Sequence, residues 1–306
     1  MLQVRRLDLG QPTVAIIVLN WNAAVDTLEC LSSLVRSEYR NCSIVVVDNG
    51  STDGSIDLIQ SRFPQVTILK NSSNLGYAEG NNRGIAYALT KGAQYIWLLN
   101  NDTVVDPMAL TKLVEAAETH PQAAFIGSTI RFYNSEVIWY GGARINWWTG
   151  VTEHIGLGQR TLRQTNCEIF STEYVTGCSL LARSKAIEEI GLLDEKLFLY
   201  YEDVDWSIRA RRAGWELVQA TKSVIWHKVS SSSKSTSNFV AYYCVRNRLY
   251  FLAKHSPCSL WIAVPYNFVR FILPSLLRGR RQQARAMLQG MIHFFQGKMG
   301  QGVGVS

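Results

Sequence analysis

Between residues 14 and 99 the chain alternates short apolar runs with helix-patterned stretches, and this alternation constrains the fold more than any other feature. Residues 14–19 (VAIIVL), 44–47 (IVVV), 66–69 (VTIL) and 95–99 (YIWLL) are apolar over strand length. A strand without a polar face has no side to turn to water, so it belongs in a sheet covered on both faces. Residues 24–35 place Val25, Leu28, Leu31, Leu34 and Val35 at helical spacing, and Ile56, Leu58, Ile59 and Phe63 repeat the pattern. A Gly/Asn-rich turn at 74–82 opens a helix through Ala86 and Leu89, and Asp106-Pro107 reads as the N-cap and first residue of another. Strand and helix in turn predict an α/β fold with a mostly parallel, doubly wound sheet flanked by helices.

The second half is less regular. Strands are expected at 125–127, 137–145, 174–182, 217–220 and 224–226. Helices are expected at 184–190 and 203–213, each stopped by a glycine, and at 238–255. Residues 147–165 and the Ser/Thr-rich 230–237 read as loops. This organisation gives one large domain over 1–255, with a regularly alternating half near 12–120 and a less regular half near 121–255, followed by an extension over 256–306.

In a doubly wound sheet, ligands sit beyond the carboxyl ends of the strands. Those ends carry Asn20-Trp-Asn22, Asp48-Asn49 and Asn100-Asn101-Asp102. Any one cluster is equally well a turn; three at one edge favour a site. No G-x-G-x-x-G follows the first strand and no G-x-x-x-x-G-K-[ST] occurs, which disfavours a dehydrogenase or a P-loop enzyme. Asp102, in a loop beyond a strand, suits a hard divalent cation, and His227 would complete the coordination of Mg²⁺ or Mn²⁺. As plain structure, the first is a turn residue and the second a core histidine. The densest acidic cluster is YYEDVDW at 200–206. Glu202, Asp203 and Asp205 either complement a helix N-terminus or supply a general base, since crowded carboxylates raise one another's pKa.

The segments VAIIVLNWN, IVVVDNGSTDGS, NLGYAEGNNRGI, WLLNNDT, GCSLLAR and YYEDVDWSIRARRAGW occur in this order. Together, over residues 12–255, they resemble the bacterial family-two inverting glycosyltransferases, in the rhamnosyltransferase-like branch. The resemblance implies a GT-A fold, a nucleoside diphosphate sugar donor (dTDP-rhamnose foremost), a divalent metal, and a glycan or lipid-linked acceptor. It implies that Asp48 contacts the nucleotide base, that Asn20 lines the same pocket, and that Asn74, Gly76 and Asn81 flank the nucleotide. Residues 100–102 match a metal motif usually written D-x-D, with Asn100 in place of the first Asp. Asp203 matches the catalytic base, with Glu202 the lesser candidate. A catalytically inactive sugar-nucleotide-binding protein and a nucleic-acid-binding protein are the alternatives. Intact Asp102, Asp203 and His227 oppose the first, and the lack of any nucleic-acid-binding module opposes the second.

Charge is unevenly spread. No acidic residue follows Glu216, while 12 of the 31 Lys and Arg do. Residues 258–277 (CSLWIAVPYNFVRFILPSLL) have the length of a membrane span, yet contain Arg270, Pro265 and Pro274, and Arg278, Arg280, Arg281 and Arg285 follow. An apolar segment beside a basic cluster fits one that lies in an anionic membrane surface; the alternative is a helical hairpin packed on the body or on a second subunit in a homodimer. The six cysteines form no C-x-x-C pair and the first ten residues hold no apolar signal segment. The expected setting is therefore the cytoplasm, at the inner face of the membrane.

Overall fold

A computed structural model of the chain describes residues 10–162, 167–229 and 238–302. Its elements begin with β1 (Val14–Asn20), α1 (Ala24–Val35), β2 (Cys42–Asp48), α2 (Ser55–Arg62), β3 (Thr67–Lys70), α3 (Gly76–Thr90), β4 (Tyr95–Asn100), β5 (Thr103–Val105), α4 (Ala109–Thr119) and β6 (Ala123–Phe132). They continue through β7 (Ile138–Tyr140), β8 (Ala143–Ile145), β9 (Thr152–His154), β10 (Ile169–Ser171), β11 (Ser179–Arg183), α5 (Ser184–Ile190), α6 (Glu202–Arg212), β12 (Glu216–His227) and α7 (Asn238–His255). The extension adds α8 (Leu260–Asn267), a π-helical turn (Phe268–Ile272), α9 (Leu273–Leu277) and α10 (Arg281–Phe295).

One sheet runs through both halves in the order β10-β12-β6-β11-β4-β1-β2-β3, with β5 on β12 and β7 on β6. β3, β2, β1 and β4 are mutually parallel, as are β6 and β12. The antiparallel β11 joins the two sets. The apolar runs of β1, β2 and β4 are buried because helices cover both faces, as their composition demanded. Register then brings the polar clusters together: Asn20 pairs with Asp48, and Leu19 with Asn100.

The structure corrects several boundaries. The Gly/Asn-rich stretch at 74–82 is mostly helix, since α3 starts at Gly76. Gly80 and Gly84 let α3 lie close on the sheet, where a Cβ would stand 2.7 Å from Leu19 and 2.5 Å from Ile17. Asp106 does not cap a helix beginning at Pro107: its carboxylate accepts from the Met108 amide, closing a turn, and α4 starts at Ala109. The strand expected at 174–182 begins only at Ser179, because the Gly177 amide turns away to Asp203. Residues 137–145 split into two strands at Gly141-Gly142. Residues 216–227 form one strand, a bulge between Ala220 and Val224 absorbing the polar 221–223. The loop expected at 147–165 contains β9, and its residues 163–165 lie outside the described residues, as does the Ser/Thr-rich 230–237.

Candidate active site

The three strand-end clusters form one hydrogen-bonded network. Asn20 is 0% exposed, and its Nδ2 donates to Asp48 Oδ1 (3.0 Å), Ser55 Oγ (2.9 Å) and Ser51 Oγ (3.1 Å). Its Oδ1 accepts from Thr27 Oγ1 at 2.7 Å, and Thr27 in turn accepts from Asn101 Nδ2 at 2.9 Å. Asp48 also takes the Ser51 amide, and the exposed Asn22 takes the Thr52 amide. The β2 end is extended by Asn49, whose Nδ2 donates to Asn74 Oδ1 and Gly76 O, each at 2.9 Å, while its Oδ1 accepts from Asn71. Gly76 sits at φ +80°, where a Cβ would meet the Phe198 ring at 2.4 Å and the Phe198 carbonyl at 2.5 Å. Asn81 is buried one turn into α3, donating to Tyr77 O. Asn20, Asp48 and Asn81 are therefore buried, whereas Asn22, Asn74, Asn100 and Asn101 reach the surface.

Across the sheet edge, β5 pairs with the end of β12, setting His227 opposite Thr103. This places His227 Nε2 3.1 Å from Asp102 Oδ1, joining residues 125 positions apart. Burial works against a charged imidazole here, but the Cys178 sulfur and the Asp102 carboxylate raise its pKa to about 10. His227 Nδ1 is buried without a hydrogen-bond partner, and Trp139 packs edge-on to the ring. Among the described residues, no group of three or more His, Cys, Asp and Glu is arranged to hold a metal. The Asp102 carboxylate, and the His227 imidazole once it gives up its proton, are donors of the kind a divalent cation takes beside the oxygens of a diphosphate and water.

The acid pair opens α6. Tyr201, at φ +73°, precedes it in the left-handed region and turns Glu202 inward, buried, with Oε2 unpartnered. Burial first, then the charge on Asp203, pushes the Glu202 carboxyl well above its ordinary range. Asp203 is half-buried. Burial raises its pKa too, but the Gly177 amide at 2.8 Å and the Val204 amide at 2.8 Å donate to its two oxygens and favour the anion. Asp205 faces the other way, where His255, Lys254 and Arg209 overcome its burial and bring its pKa down to about 2. It is an internal ion-pair centre with no free oxygen for chemistry.

Residues 177–178 tie the two acidic centres together. The Gly177 amide holds Asp203, and the next carbonyl, of Cys178, accepts the Asn100 amide at 3.0 Å. Asp203 and the start of the Asn100–Asp102 cluster are thus held by adjacent residues. Asn49 was named only as part of a strand-end cluster, and Thr27, Tyr77 and Gly177 were not among the sequence candidates, although Tyr77 and Gly177 stand within the motifs NLGYAEGNNRGI and GCSLLAR.

Residues 15–191 match the model of the family described as glycosyl transferase family 2. The N-acetylglucosaminyl-diphospho-decaprenol L-rhamnosyltransferase of Mycobacterium tuberculosis is 30% identical over 246 residues, spanning 74% of this chain and 80% of its own. The dTDP-rhamnosyl transferase RfbF of Shigella flexneri is 25% identical over 259 residues, spanning 80% and 82%. In fold, the chain is similar to the mannosyltransferase PcManGT from Pyrobaculum calidifontis in complex with GDP-Man and Mn²⁺, with a TM-score of 0.61 at 14% identity, covering 94% and 88% of the two chains.

Proposed function

The chain belongs to glycosyl transferase family 2, in its rhamnosyltransferase-like branch, and we propose that it is an inverting, metal-dependent enzyme carrying rhamnose from dTDP-rhamnose to a hydroxyl of a lipid-linked glycan. The observation that carries this reading is Asp203: a half-buried carboxylate whose two oxygens accept from two backbone amides, tied through Gly177-Cys178 to the strand end that leads into Asp102. The nearest substrate analogy is the acceptor named for the mycobacterial relative, an N-acetylglucosaminyl diphosphate on a polyprenol.

In this reading Asp48 and Asn22 meet the nucleotide, while Asn74, Gly76, Asn100 and Asn101 line the rim beside the diphosphate. The buried Asn20 and Asn81 hold those walls in place. Asp102 and a deprotonated His227 would hold Mg²⁺ or Mn²⁺, which when bound would supply Lewis-acid neutralisation of the leaving diphosphate. Asp203 takes the proton of the acceptor hydroxyl as its oxygen bonds to the anomeric carbon. The bond from that carbon to the diphosphate oxygen breaks on the opposite face, its electron pair leaving with the nucleoside diphosphate. A single displacement inverts the configuration. Glu202, buried and facing away from the Gly177 amide, is not assigned the proton transfer.

The test is Asp203→Asn, which keeps the shape and removes the proton acceptor. A general base contributes about 10²- to 10⁴-fold. The variant should keep the thermal shift given by dTDP-rhamnose with Mn²⁺ and lose at least about 10²-fold in transfer to an N-acetylglucosaminyl-diphospho-polyprenol. Transfer within about threefold of wild type rejects the assignment. A shift from UDP- or GDP-sugars in place of dTDP-rhamnose would move the donor assignment to them.

The extension supports attachment to an anionic membrane surface. Pro257–Leu277 is long and apolar enough to cross a bilayer, yet it lies on the body with Ala263, Asn267 and Ile272 inward. Trp261 (88% exposed), Val269 (62%) and Leu277 (79%) face out. Arg270, Arg278, Arg280, Arg281 and Arg285 are exposed alongside. Binding to anionic vesicles should fall steeply with salt. Equal binding to neutral vesicles, or none to either kind, rejects this attachment.

A further inference from the structure

The turn that presents the acid pair is strained, and a residue outside the site holds it. Phe198 (φ +60°), Tyr200 (φ +70°) and Tyr201 (φ +73°) all sit in the left-handed region without being glycine. Phe198 centres a γ-turn, the Leu199 amide reaching back to Leu197 O at 2.7 Å. Such a backbone persists only when its surroundings over-determine it. Most of the side-chain hold comes from one residue, with a longer bond from Arg246 Nη2 to Leu197 O at 3.4 Å. Asn247, 0% exposed on α7, donates from Nδ2 to Leu197 O (2.7 Å), Leu199 O (2.8 Å) and Tyr200 O (2.8 Å). Its Oδ1 is fixed by Arg246 Nε at 2.9 Å, itself fully buried and stacked on Tyr243, which stacks on Phe198.

The same turn reaches the donor loop. Phe198 O accepts the Tyr77 amide at 2.6 Å, immediately after Gly76. The Tyr77 hydroxyl donates to Gly177 O at 2.6 Å, and the Gly177 amide holds Asp203. A closed circuit therefore joins the turn, the donor loop and the base, and Asn247 fastens it from outside.

We propose that Asn247 is a positioning residue for transfer: by holding three carbonyls of the 197–200 turn, it sets Asp203 at the height the acceptor hydroxyl requires, without touching either substrate. The proposal rests on the reading of Asp203 as the base. A space-filling role and a donor role separate cleanly, because Asp has the shape of Asn but turns an oxygen, not an NH₂, toward the three carbonyls.

The full-length chain and its Asn247→Asp, Asn247→Ser and Asn247→Ala variants are compared by release of nucleoside diphosphate from dTDP-rhamnose with Mn²⁺, with water and then the polyprenol acceptor as nucleophile. The expected order of kcat is wild type, Ser, Ala, Asp, with Ala and Asp at least about tenfold down and donor KM within about threefold. Should the Asp variant not fold, Ser against Ala carries the comparison: one restored donor should recover part of the loss. An Asp variant with kcat within threefold of wild type overturns the proposal, as does a Ser variant no better than Ala, or donor affinity falling in step with kcat. Asp203→Asn, assayed beside them, separates the two readings. Normal turnover there sinks the base assignment and this proposal with it. A dead Asp203→Asn beside a normal Asn247→Asp sinks the positioning role alone.

Discussion

Replacing Asn20 with Asp would test the network beneath the site with almost no change of shape. Its NH₂ group faces Asp48 Oδ1 at 3.0 Å, so the substitution sets oxygen against oxygen in a fully buried place. Two charges 3 Å apart at an effective dielectric of 20 repel by about 5 kcal/mol. The pair escapes by keeping one proton, which limits the penalty. Holding a carboxyl of ordinary pKa near 4 protonated at pH 8 takes about four units at 1.36 kcal/mol each, or ~5 kcal/mol. At pH 5 the same proton takes about 1.4 kcal/mol and restores a donor between the two residues. The sign follows from linkage: the folded pair's pKa lies above the unfolded value, so stability is whole below about pH 4 and is lost as pH rises through the folded value. Urea unfolding of wild type and variant, followed by tryptophan fluorescence at pH 5 and pH 8, should give penalties differing by roughly 4 kcal/mol over those three units. Asn20→Ala, which adds no titrating group, should show little such difference. Equal penalties for Asn20→Asp at the two pH values, or less than about 1 kcal/mol at pH 8, would mean that Asn20 does not donate to Asp48.

Other consequences are as direct. Because burial raises the Asp203 pKa and the base acts ionised, kcat/KM should fall on acidification at a pH above the usual carboxylate range; a pH–rate profile with its acid limb at or below about 4 would contradict this. Asp102→Ala and His227→Ala should each raise the Mn²⁺ concentration for half-maximal activity at least about tenfold, and an unchanged titration in both would remove them from the metal site. Gly76→Ala puts a Cβ into left-handed backbone against the Phe198 carbonyl at 2.5 Å and should destabilise by about 3 kcal/mol or more. Urea midpoints measure that, and a change below about 1 kcal/mol would show that the turn yields easily.

Apolar runs made β1, β2 and β4 legible, and with them the edge where Asn20, Asp48 and Asn100 stand, because burial on both faces leaves a compositional mark. The resemblance placed Asp203 ahead of Glu202, and the two differ in the structure: the first accepts from two amides, the second is buried with Oε2 unpartnered. What periodicity cannot carry is which polar side chain meets which. Thr27 bridges Asn20 and Asn101, and Asn49 organises a loop more than 20 residues on, yet both look like ordinary turn or helix residues in the sequence. The polar 221–223 looked like a break in a strand because a bulge and a loop have the same composition. Charge misled most in α7. Arg246 and Arg248, counted within the basic tail, are buried against tyrosines and amides and offer nothing to an anionic surface. Arg-Asn-Arg beside Tyr242-Tyr243 on a helix with no polar face was the available sign.

The position of Asn247 also sets a clock. The strands that make the donor edge are complete by residue 100, while the side chain that fastens the acid turn comes 147 residues later. At ~5–20 residues per second of synthesis, that gap lasts roughly 7–30 s. For most of it the chain also lacks Asp203 and His227, and for all of it the side chain that fastens the 197–200 turn. In the proposed reading the base is therefore first absent and then unbraced until α7 has been made. Each new molecule would thus stay idle through its own translation and become competent only as α7 closes over the 197–200 turn, which spares activated sugar from waste on half-made enzyme.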